Sequence, residues 1–311
     1  MRVTFILCVA TVLIGLAGIA WGHYPEGVTF LAFQWPEGYE PVMDGDPSEW
    51  DIVSSEYILR REDFVPIQGR HFRPVDPAGF QILRGIIGWS RSQNRLYLMA
   101  EVLDDVQVFF PAGNSSEPGY RGLFTSPDGL YFYVDADHGG ECYAQSCFDP
   151  GGGEVLRFDN ADATSYIVGA MAPDRPAGWN WNRGYWNKGA PWIVVGWSLT
   201  PQDGVYRVVY EVSVIPFDWL DWQGLEESVV HPLTEGEIIG MHYGVQDVDP
   251  GLAFSGLAVT DARTKGDVLR DASFFADVRL MPVEEALFSR PTGVESGTWG
   301  RIKSTISRRR E

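Results

Sequence analysis

Short segments of alternating apolar and polar residues, separated by glycine, proline, asparagine and aspartate, recur along the chain and constrain its fold more than any other feature. Successive side chains of a β-strand point to opposite faces, so such alternation indicates a strand with one buried face. The clearest case covers residues 205–215, with expected core positions Tyr206, Val208, Tyr210, Val212 and Val214. Pro216 ends it, because proline cannot donate into a central ladder. Helical periodicity is scarce, which predicts an all-β protein.

The same pattern predicts several more strands and one large core. In the segment 96–102, Leu96, Leu98, Ala100 and Val102 share one face. The other predicted strands are 28–35, 81–89, 130–134, 155–159, 164–170, 192–198, 238–245, 253–260 and 272–281. A hydrophobic content of 45%, with 12 Trp, 13 Tyr and 17 Phe, is ample for one core. We predict an antiparallel β-sandwich with a long loop insertion at residues 138–192 and a short C-terminal tail.

Two predicted strands run directly into acidic turns of the form Asp-x-Asp-x-Gly. They are Asp135-Ala-Asp137-His-Gly139 and Asp247-Val-Asp249-Pro-Gly251. Alternate carboxylates followed by a turn-permitting glycine can direct several oxygens to one point, as Ca²⁺ requires. Both segments lack the other oxygens of an EF-hand loop. The sequence therefore indicates either calcium sites or acidic turns at the ends of a sheet.

A third acidic segment lies near the start of the predicted sandwich. Asp44 and Asp46 could direct oxygens toward Asp104 or Asp105 in the folded protein. The alternative is an Asp-Gly turn capped by its own carboxylate. Farther along, Glu211 alternates away from the apolar stripe of its strand and is expected to pair with Arg207, which lies on the same face.

The N-terminus has the pattern of a secretory signal peptide. Arg2 precedes an apolar run at residues 3–20, and Ala20-Trp21-Gly22 offers small residues for cleavage, so the mature chain is expected to begin at His23. A retained membrane anchor is the alternative, but no basic flank follows the run. The pattern predicts a secreted or periplasmic protein, with the cell surface also open.

Two cysteines remain after such cleavage, Cys142 and Cys147. In an oxidising compartment they most simply form one disulfide that closes the short loop between them. A metal clamp would need further ligands, and the five histidines are scattered.

The chain carries a formal net charge of −18, and its acidity is concentrated in residues 23–283, which hold 17 basic and 38 acidic residues. Such a body repels nucleic acid and anionic membranes, and it tolerates Ca²⁺. Nucleic acid is therefore not an expected partner.

The candidate ligand site lies in the insertion, in what we call the tryptophan segment, residues 179–187. Its candidate binding residues are Trp179, Asn180, Trp181, Asn182, Tyr185 and Trp186. Sugar rings stack their C–H faces on aromatic planes, and asparagine hydrogen-bonds hydroxyl groups. The alternative is that these rings seal a long loop against the sandwich. Trp197, in a strand-like run, is expected in the core.

No catalytic residue is predicted. The chain contains no G-x-S-x-G, no H-E-x-x-H and no phosphate-binding loop. A glycosidase needs two carboxylates at a defined separation, and 42 acidic residues do not nominate a pair. The expectation is a protein without enzymatic activity.

Residues 284–311 differ in character from the body. Residues 291–297 read as a linker, and Trp299, Ile302 and Ile306 then fall on one side of a short basic helix. Such a tail could contact a cell envelope or a partner. A frayed, solvated terminus is the alternative.

Five elements, in order, resemble family 9 carbohydrate-binding modules and their DOMON-like relatives. They are Met43-Asp44-Gly45 through Trp50, Leu96-Tyr97-Leu98 through Asp104-Asp105, Asp128-Gly129 through Asp135, Tyr210-Glu211 through Ile215-Pro216-Phe217, and Gly236 through Ile239-Gly240 to Asp247 and Asp249. The resemblance covers residues 40–282, and it departs from the family pattern in the long insertion.

This resemblance implies a β-sandwich over residues 23–283 that binds polysaccharide or oligosaccharide, sometimes with structural calcium. Some DOMON-like relatives hold haem for electron transfer, which makes a haem module the alternative. Haem needs axial ligands such as Met and His. Met241 and His242 are adjacent on one strand and point to opposite faces, so they cannot serve together, and Met99 with His242 is the pairing left. A structural, envelope-associated protein is a further alternative.

Overall fold

The computed structural model describes residues 24–66, 74–109, 128–140, 162–172, 175–180, 186–187, 189–248, 255–259 and 271–288. Within these ranges the protein is built from strands and short helical turns. The strands are β1 (Thr29–Gln34), β2 (Ile58–Leu59), β3 (Val65–Pro66), β4 (Phe80–Ser90), β5 (Arg95–Asp104), β6 (Gly129–Asp135), β7 (Thr164–Ala172), β8 (Arg175–Asn180), β9 (Ile193–Gln202), β10 (Val205–Val214), β11 (Phe217–Trp219), β12 (Val229–Val230), β13 (Ile238–Asp247), β14 (Ser255–Ala258) and β15 (Ala276–Leu280). The 3₁₀ turns are Pro47–Ile52, Ser55–Tyr57, Arg61–Asp63, Leu225–Glu227 and Ala272–Phe274, and one α-helical turn, α1, is Glu285–Phe288.

The strands form two facing sheets that share β1. The order along the connected path is β8-β7-β6-β13-β15-β1-β4-β5-β10-β9. The first four residues of β1 pair with β15 and its last two residues pair with β4, so the strand passes from one sheet to the other. Both of these pairings are parallel, whereas the other pairings among the described strands are antiparallel. The predicted antiparallel β-sandwich is confirmed, with this one parallel strand added.

The core lies between the two sheets, on the faces that alternation predicts. Along β10 the residues Val208, Tyr210, Val212 and Val214 are at most 1% exposed. The β5 residues Leu96, Leu98, Ala100 and Val102 are fully buried opposite them. β13 contributes Ile239, Met241, Tyr243 and Val245 from the facing sheet. Trp197 on β9 joins the same core, as predicted.

Each sheet also buries part of its outer face. On the sheet containing β5, residues 43–58 cross the outside and cover a second apolar cluster that includes Trp35, Trp50, Tyr57, Met99 and Val209. On the other sheet, Tyr131, Tyr133 and Phe275 form a smaller cluster. The outward positions of these strands are therefore not all exposed to solvent.

Most predicted strands are observed within one to four residues of their expected bounds, and one segment begins differently. Residues 272–274, predicted as the start of a strand, form a 3₁₀ turn, and the side chain of Asp271 caps it by accepting from the N–H of Ser273. The strand begins only at Ala276. Residues 155–159 lie outside the described residues.

The residues directly after 283, the predicted end of the sandwich, also contact it. Leu287 and Phe288 of α1 pack on the outer apolar cluster, and Ser54 Oγ donates to Glu284 Oε2 at 2.8 Å. No helix in the described part of the chain is long and apolar enough to cross a bilayer.

Candidate functional site

The tryptophan segment begins at an edge of the sandwich. β8 is the last strand of its sheet, and it places Trp179 opposite Ile167 and Asn180 opposite Tyr166 of β7. β9, which starts at residue 193, is the last strand of the other sheet, and β8 contacts it. The chain between β8 and β9 therefore joins the two sheets at their free edges. Trp181, Asn182 and Tyr185 belong to this connection and lie outside the described residues.

Trp186 is held in place by a hydrogen bond and by two aromatic neighbours. Its indole N–H donates to the backbone carbonyl of Asp221 at 2.9 Å. Its ring meets Trp192 edge-on with centroids 5.0 Å apart, and Phe217 at 6.0 Å. The side chain is half-buried. Trp186 thus has the contacts of a ring that seals the loop, while part of its surface stays accessible.

Asp44 and Asp46 form a self-capped turn. Asp44 Oδ1 accepts from the N–H of Asp46 at 2.9 Å, and Asp46 Oδ1 accepts from the N–H of Ser48 at 3.0 Å, at the start of the first 3₁₀ turn. The turn is bound to Glu211, which pairs with Met99 of β5. Asp104 lies five residues farther along β5 than Met99. Five strand residues span about 17 Å. Asp44 and Asp46 are therefore remote from Asp104, in agreement with the turn alternative.

Glu211 is the residue that holds this turn to the sheet. Its Oε2 accepts from the N–H groups of Gly45 at 2.6 Å and Asp44 at 3.1 Å, and its Oε1 accepts from the indole N–H of Trp50 at 2.7 Å. The side chain is fully buried. Burial raises its pKa to about 7, against the opposing effect of these hydrogen bonds.

The expected pairing of Glu211 with Arg207 is wrong. Arg207 instead forms an ion pair with Glu101, which also binds Arg84 at 2.7 Å. Glu211 and Arg207 do lie on the same outer face of β10, as alternation requires. The segment that crosses this face supplies three N–H donors to Glu211. Strand periodicity alone predicts that this side chain is exposed to solvent.

Two glycines permit the close contact between this turn and β9. Gly45 has φ +84°, and a Cβ there would lie 2.3 Å from the carbonyl oxygen of Trp197. A Cβ on Gly196 would lie 2.4 Å from the carbonyl carbon of Met43. Any larger residue at either position would separate the turn from the sheet.

The acidic turn after β6 is also satisfied by its own backbone. Asp135 accepts from the N–H groups of Gly139 at 3.2 Å and Gly140 at 2.9 Å, and Asp137 accepts from Gly139 at 3.1 Å. Burial raises the pKa of Asp135 to about 7, and neighbouring Asp137 adds to this effect. These contacts are those of an acidic turn.

The second acidic turn lies at the opposite end of the sheet. β6 and β13 are antiparallel, so Asp135 pairs with Gly240 whereas Gly129 pairs with Gln246. Asp247 lies seven residues along β13 from Gly240, which at the strand rise is about 23 Å from the position of Asp135. The two turns cannot contribute to one ion. Asp249 lies outside the described residues.

Asp247 instead belongs to a buried acidic cluster that the sequence analysis missed. Asp104, Asp128 and Asp247 are 0%, 1% and 4% exposed at one end of the sandwich. Asp128 accepts from the N–H groups of Val108 and Val248. Burial, followed by the charges of Asp104 and Asp247, raises the pKa of Asp128 to about 9. The sequence feature that indicates this cluster is Asp128, an aspartate directly before the apolar strand β6.

The described residues contain no group of three or more acidic, histidine or cysteine side chains that could hold a metal ion. The oxygens of Asp128 already accept from backbone N–H groups. The acidic cluster therefore does not by itself fit a calcium ion. Cys142 and Cys147 lie outside the described residues, so the disulfide remains a prediction.

The residues considered for haem are separated by the sandwich. Met241 faces the core, whereas His242 contacts Tyr131 and Tyr133 on the outer face, at ring centroid distances of 5.3 Å. Met99 lies under the outer cluster of the other sheet. Met99 and His242 thus face away from each other across both sheets, and they cannot be the two axial ligands of one haem.

No protein-family model and no curated protein matches this sequence. Two solved structures that are similar to the chain are family 9 carbohydrate-binding modules from Caldicellulosiruptor kristjanssonii, in complex with cellotriose and with glucose. The first has a TM-score of 0.48 and 14% identity, covering 86% of this chain and 97% of that one. The second has a TM-score of 0.47 and 14% identity, covering 83% and 98%.

Proposed function

We propose that this chain is a secreted, non-catalytic protein that binds carbohydrate through the tryptophan segment. The observation that carries the proposal is the position of this segment. It leaves edge strand β8 and leads to edge strand β9, at the rim where the two sheets meet. A connection at a rim can offer ring faces to a ligand without opening the core.

The composition of the segment suits a sugar. Tryptophan rings cover the apolar C–H faces of a pyranose, while the amides of Asn180 and Asn182 can both donate to and accept from hydroxyl groups. Trp186 would act as the fixed wall, because its N–H is bound to Asp221 and its ring rests on Trp192. Trp179 and Trp181 would stack directly on the sugar ring.

Glycan-array binding of the exported protein tests this proposal, with cellotriose and glucose, the ligands of the two similar structures, as the first soluble probes. We expect W179A and W181A to weaken binding about five- to tenfold per stacked ring while the melting temperature stays unchanged. Tyr39→Ala is the matched control, because Tyr39 is an aromatic residue 59% exposed and outside the segment. An array on which the wild-type protein binds no glycan would overturn the proposal.

We also propose calcium only at the end of the sandwich that contains Asp247. A cation there would stabilise the buried carboxylates, because burial and then the charges of Asp104 and Asp247 raise the pKa of Asp128. The described carboxyl groups do not complete such a site, so a further ligand is required, and Asp249 is the acidic residue nearest to Asp247 in sequence. Asp135 and Asp137 are not part of this site, because they lie at the opposite end of the sheet and cap their own turn there.

The haem alternative has no supporting pair of ligands among the described residues, and a visible spectrum without a Soret band would remove it. Contact of the basic tail with a cell envelope remains a proposal. Deleting residues 289–311 and measuring retention on cells tests it. The segment lies outside the described residues.

A further inference from the structure

An acidic segment follows β1 and crosses the outside of the sheet that contains β5. We call residues 36–56 the acidic strap, and they hold seven acidic residues and no lysine, arginine or histidine. Among the described residues, only one of these seven forms an ion pair, Asp51 with Arg84 at 2.8 Å. The strap therefore carries negative charge that the described part of the chain leaves largely unneutralised.

The strap also exposes two apolar side chains. Tyr39 and Val42 are 59% and 57% exposed, the highest values among the large hydrophobic residues whose side chains the structure describes. The N–H of Tyr39 donates to the carbonyl of Pro36 at 3.0 Å, and the N–H of Val42 donates to Glu49 Oε2 at 2.6 Å. These hydrogen bonds brace the loop, so the exposed pair belongs to a fixed surface.

The C-terminal tail leaves the sandwich at this surface. The ring of Tyr39 meets that of Phe288, the last described residue, edge-on with centroids 5.1 Å apart. Residues 289–311 follow, and they contain six basic and two acidic residues. A basic segment thus begins beside an acidic surface, within the distance of about 8 Å over which charges interact at physiological salt.

The apolar side of the tail has the length of the exposed pair. Trp299, Ile302 and Ile306 share one side of the predicted basic helix, in which seven residues span about 10 Å. Tyr39 and Val42 are three residues apart, so their Cα atoms are at most about 11 Å apart. Eleven residues separate Trp299 from the last described residue, and they can extend over about 36 Å. The tail is therefore long enough to return to the strap.

We propose that the basic tail of this chain docks on the acidic strap, where Trp299 and Ile302 cover Tyr39 and Val42. The basic residues on either side of Ile302 then pair with carboxylates of the strap. A short tether gives an effective concentration in the millimolar range, so even a weak contact is occupied. The contact is independent of carbohydrate binding, and a cell envelope would have to compete with the strap for the tail.

Carbodiimide cross-linking of the exported protein tests this contact. The reagent joins a lysine amine directly to a carboxylate beside it, and the chain has three lysines, Lys188, Lys265 and Lys303. We expect mass spectrometry of the monomeric product to show Lys303 joined to a carboxylate of residues 36–56. Raising the salt to about 1 M, which shortens the Debye length to about 3 Å, should reduce the yield at least threefold.

A double variant removes the exposed apolar pair and leaves every carboxylate in place. Y39S/V42S should lower the yield of this cross-link at least fivefold. V229S/V230S is the matched control, because it also replaces two exposed side chains, here on β12, and it should leave the yield unchanged. Both variants should keep the wild-type melting temperature, since the side chains that they replace are exposed.

Trypsin provides a second measurement that does not depend on a lysine cross-link. Cleavage of the tail after Arg301 should be at least fivefold faster in Y39S/V42S than in the wild type. I302S alone should have a similar effect. Adding I302S to Y39S/V42S should bring no further increase, because both changes remove the same contact.

Three results would each overturn the proposal. Cross-links of Lys303 to the strap that occur only in the dimeric product would assign this surface to the tail of a second copy. Cross-links of Lys303 only to carboxylates outside residues 36–56 would place the tail elsewhere. Equal rates of tail cleavage in the wild type and Y39S/V42S would show that the exposed pair does not hold the tail.

Discussion

Replacing Glu211 with glutamine should change how the stability of this protein depends on pH. Glu211 is fully buried and accepts from Trp50, Gly45 and Asp44, and no cation is among its hydrogen-bond partners. Burial disfavours the carboxylate, while the three N–H donors favour it. The pKa is raised to about 7, so the effect of burial on the carboxylate is larger than the effect of the three donors.

The sign and the size follow from this value. A carboxyl group whose pKa is raised on folding contributes stability that is fully present below about 4.5, its ordinary value, and is lost as the pH rises through about 7. The difference between these two pKa values corresponds to about 3 kcal/mol of folding free energy, since one pKa unit is about 1.4 kcal/mol. E211Q does not titrate, so it lacks this loss. Its amide faces N–H donors at every pH, which costs about 1–3 kcal/mol throughout.

The assay is urea unfolding of the wild type and E211Q, followed by tryptophan fluorescence between about pH 4.5 and pH 8. Groups that titrate in both proteins cancel in the difference. Relative to the variant, the wild type should lose about 3 kcal/mol over this range. E226Q is the control for removing one charge, because Glu226 is exposed. A difference that is flat would show that the N–H donors balance burial, and one that grows in favour of the wild type as the pH rises would show that they outweigh it; either result would refute the reasoning.

Three other predictions concern the turn, the tryptophan segment and calcium. Gly45→Ala should destabilise the protein by about 2–4 kcal/mol in urea unfolding, because it adds a backbone clash to a left-handed φ; Gly236→Ala, at the same φ of +84° with open space around it, should cost only about 1 kcal/mol. W186A should lower the melting temperature by several degrees, whereas W179A should leave it unchanged and reduce glycan affinity; equal effects of the two would contradict the division of roles. Adding Ca²⁺ should raise the melting temperature of the wild type but not of D247N, and a chelator should reverse the rise; no response in the wild type would rule out the proposed ion.

Local periodicity was sufficient to predict the strands of the core. Side chains alternate along β5 and β10 because strand geometry requires it, so Leu98 and Val212 could be assigned to the core from spacing alone. The start of β15 was misplaced because Asp271 caps a turn that local apolar content does not reveal. The bounds of β1 were predicted, but its passage between two sheets was not, since pairing partners are distant in the sequence.

The candidate sites were less predictable, because each depends on what covers a surface. Strand periodicity predicts that Glu211 points outward and pairs with Arg207. In the structure it binds a turn more than 160 residues earlier in the chain. Asp247 was grouped with Asp135 by motif, yet antiparallel pairing places them at opposite ends of a sheet.

The sequence by itself determined the all-β class, the identity of the inward faces and the acidic character of the strand ends, because these follow from a period of two and from turn chemistry. Only the tertiary structure decided which acidic residues meet and which outward faces are covered. The physical reason is that alternation is set within a few residues, whereas burial and hydrogen-bond satisfaction depend on segments that the chain brings together from far apart.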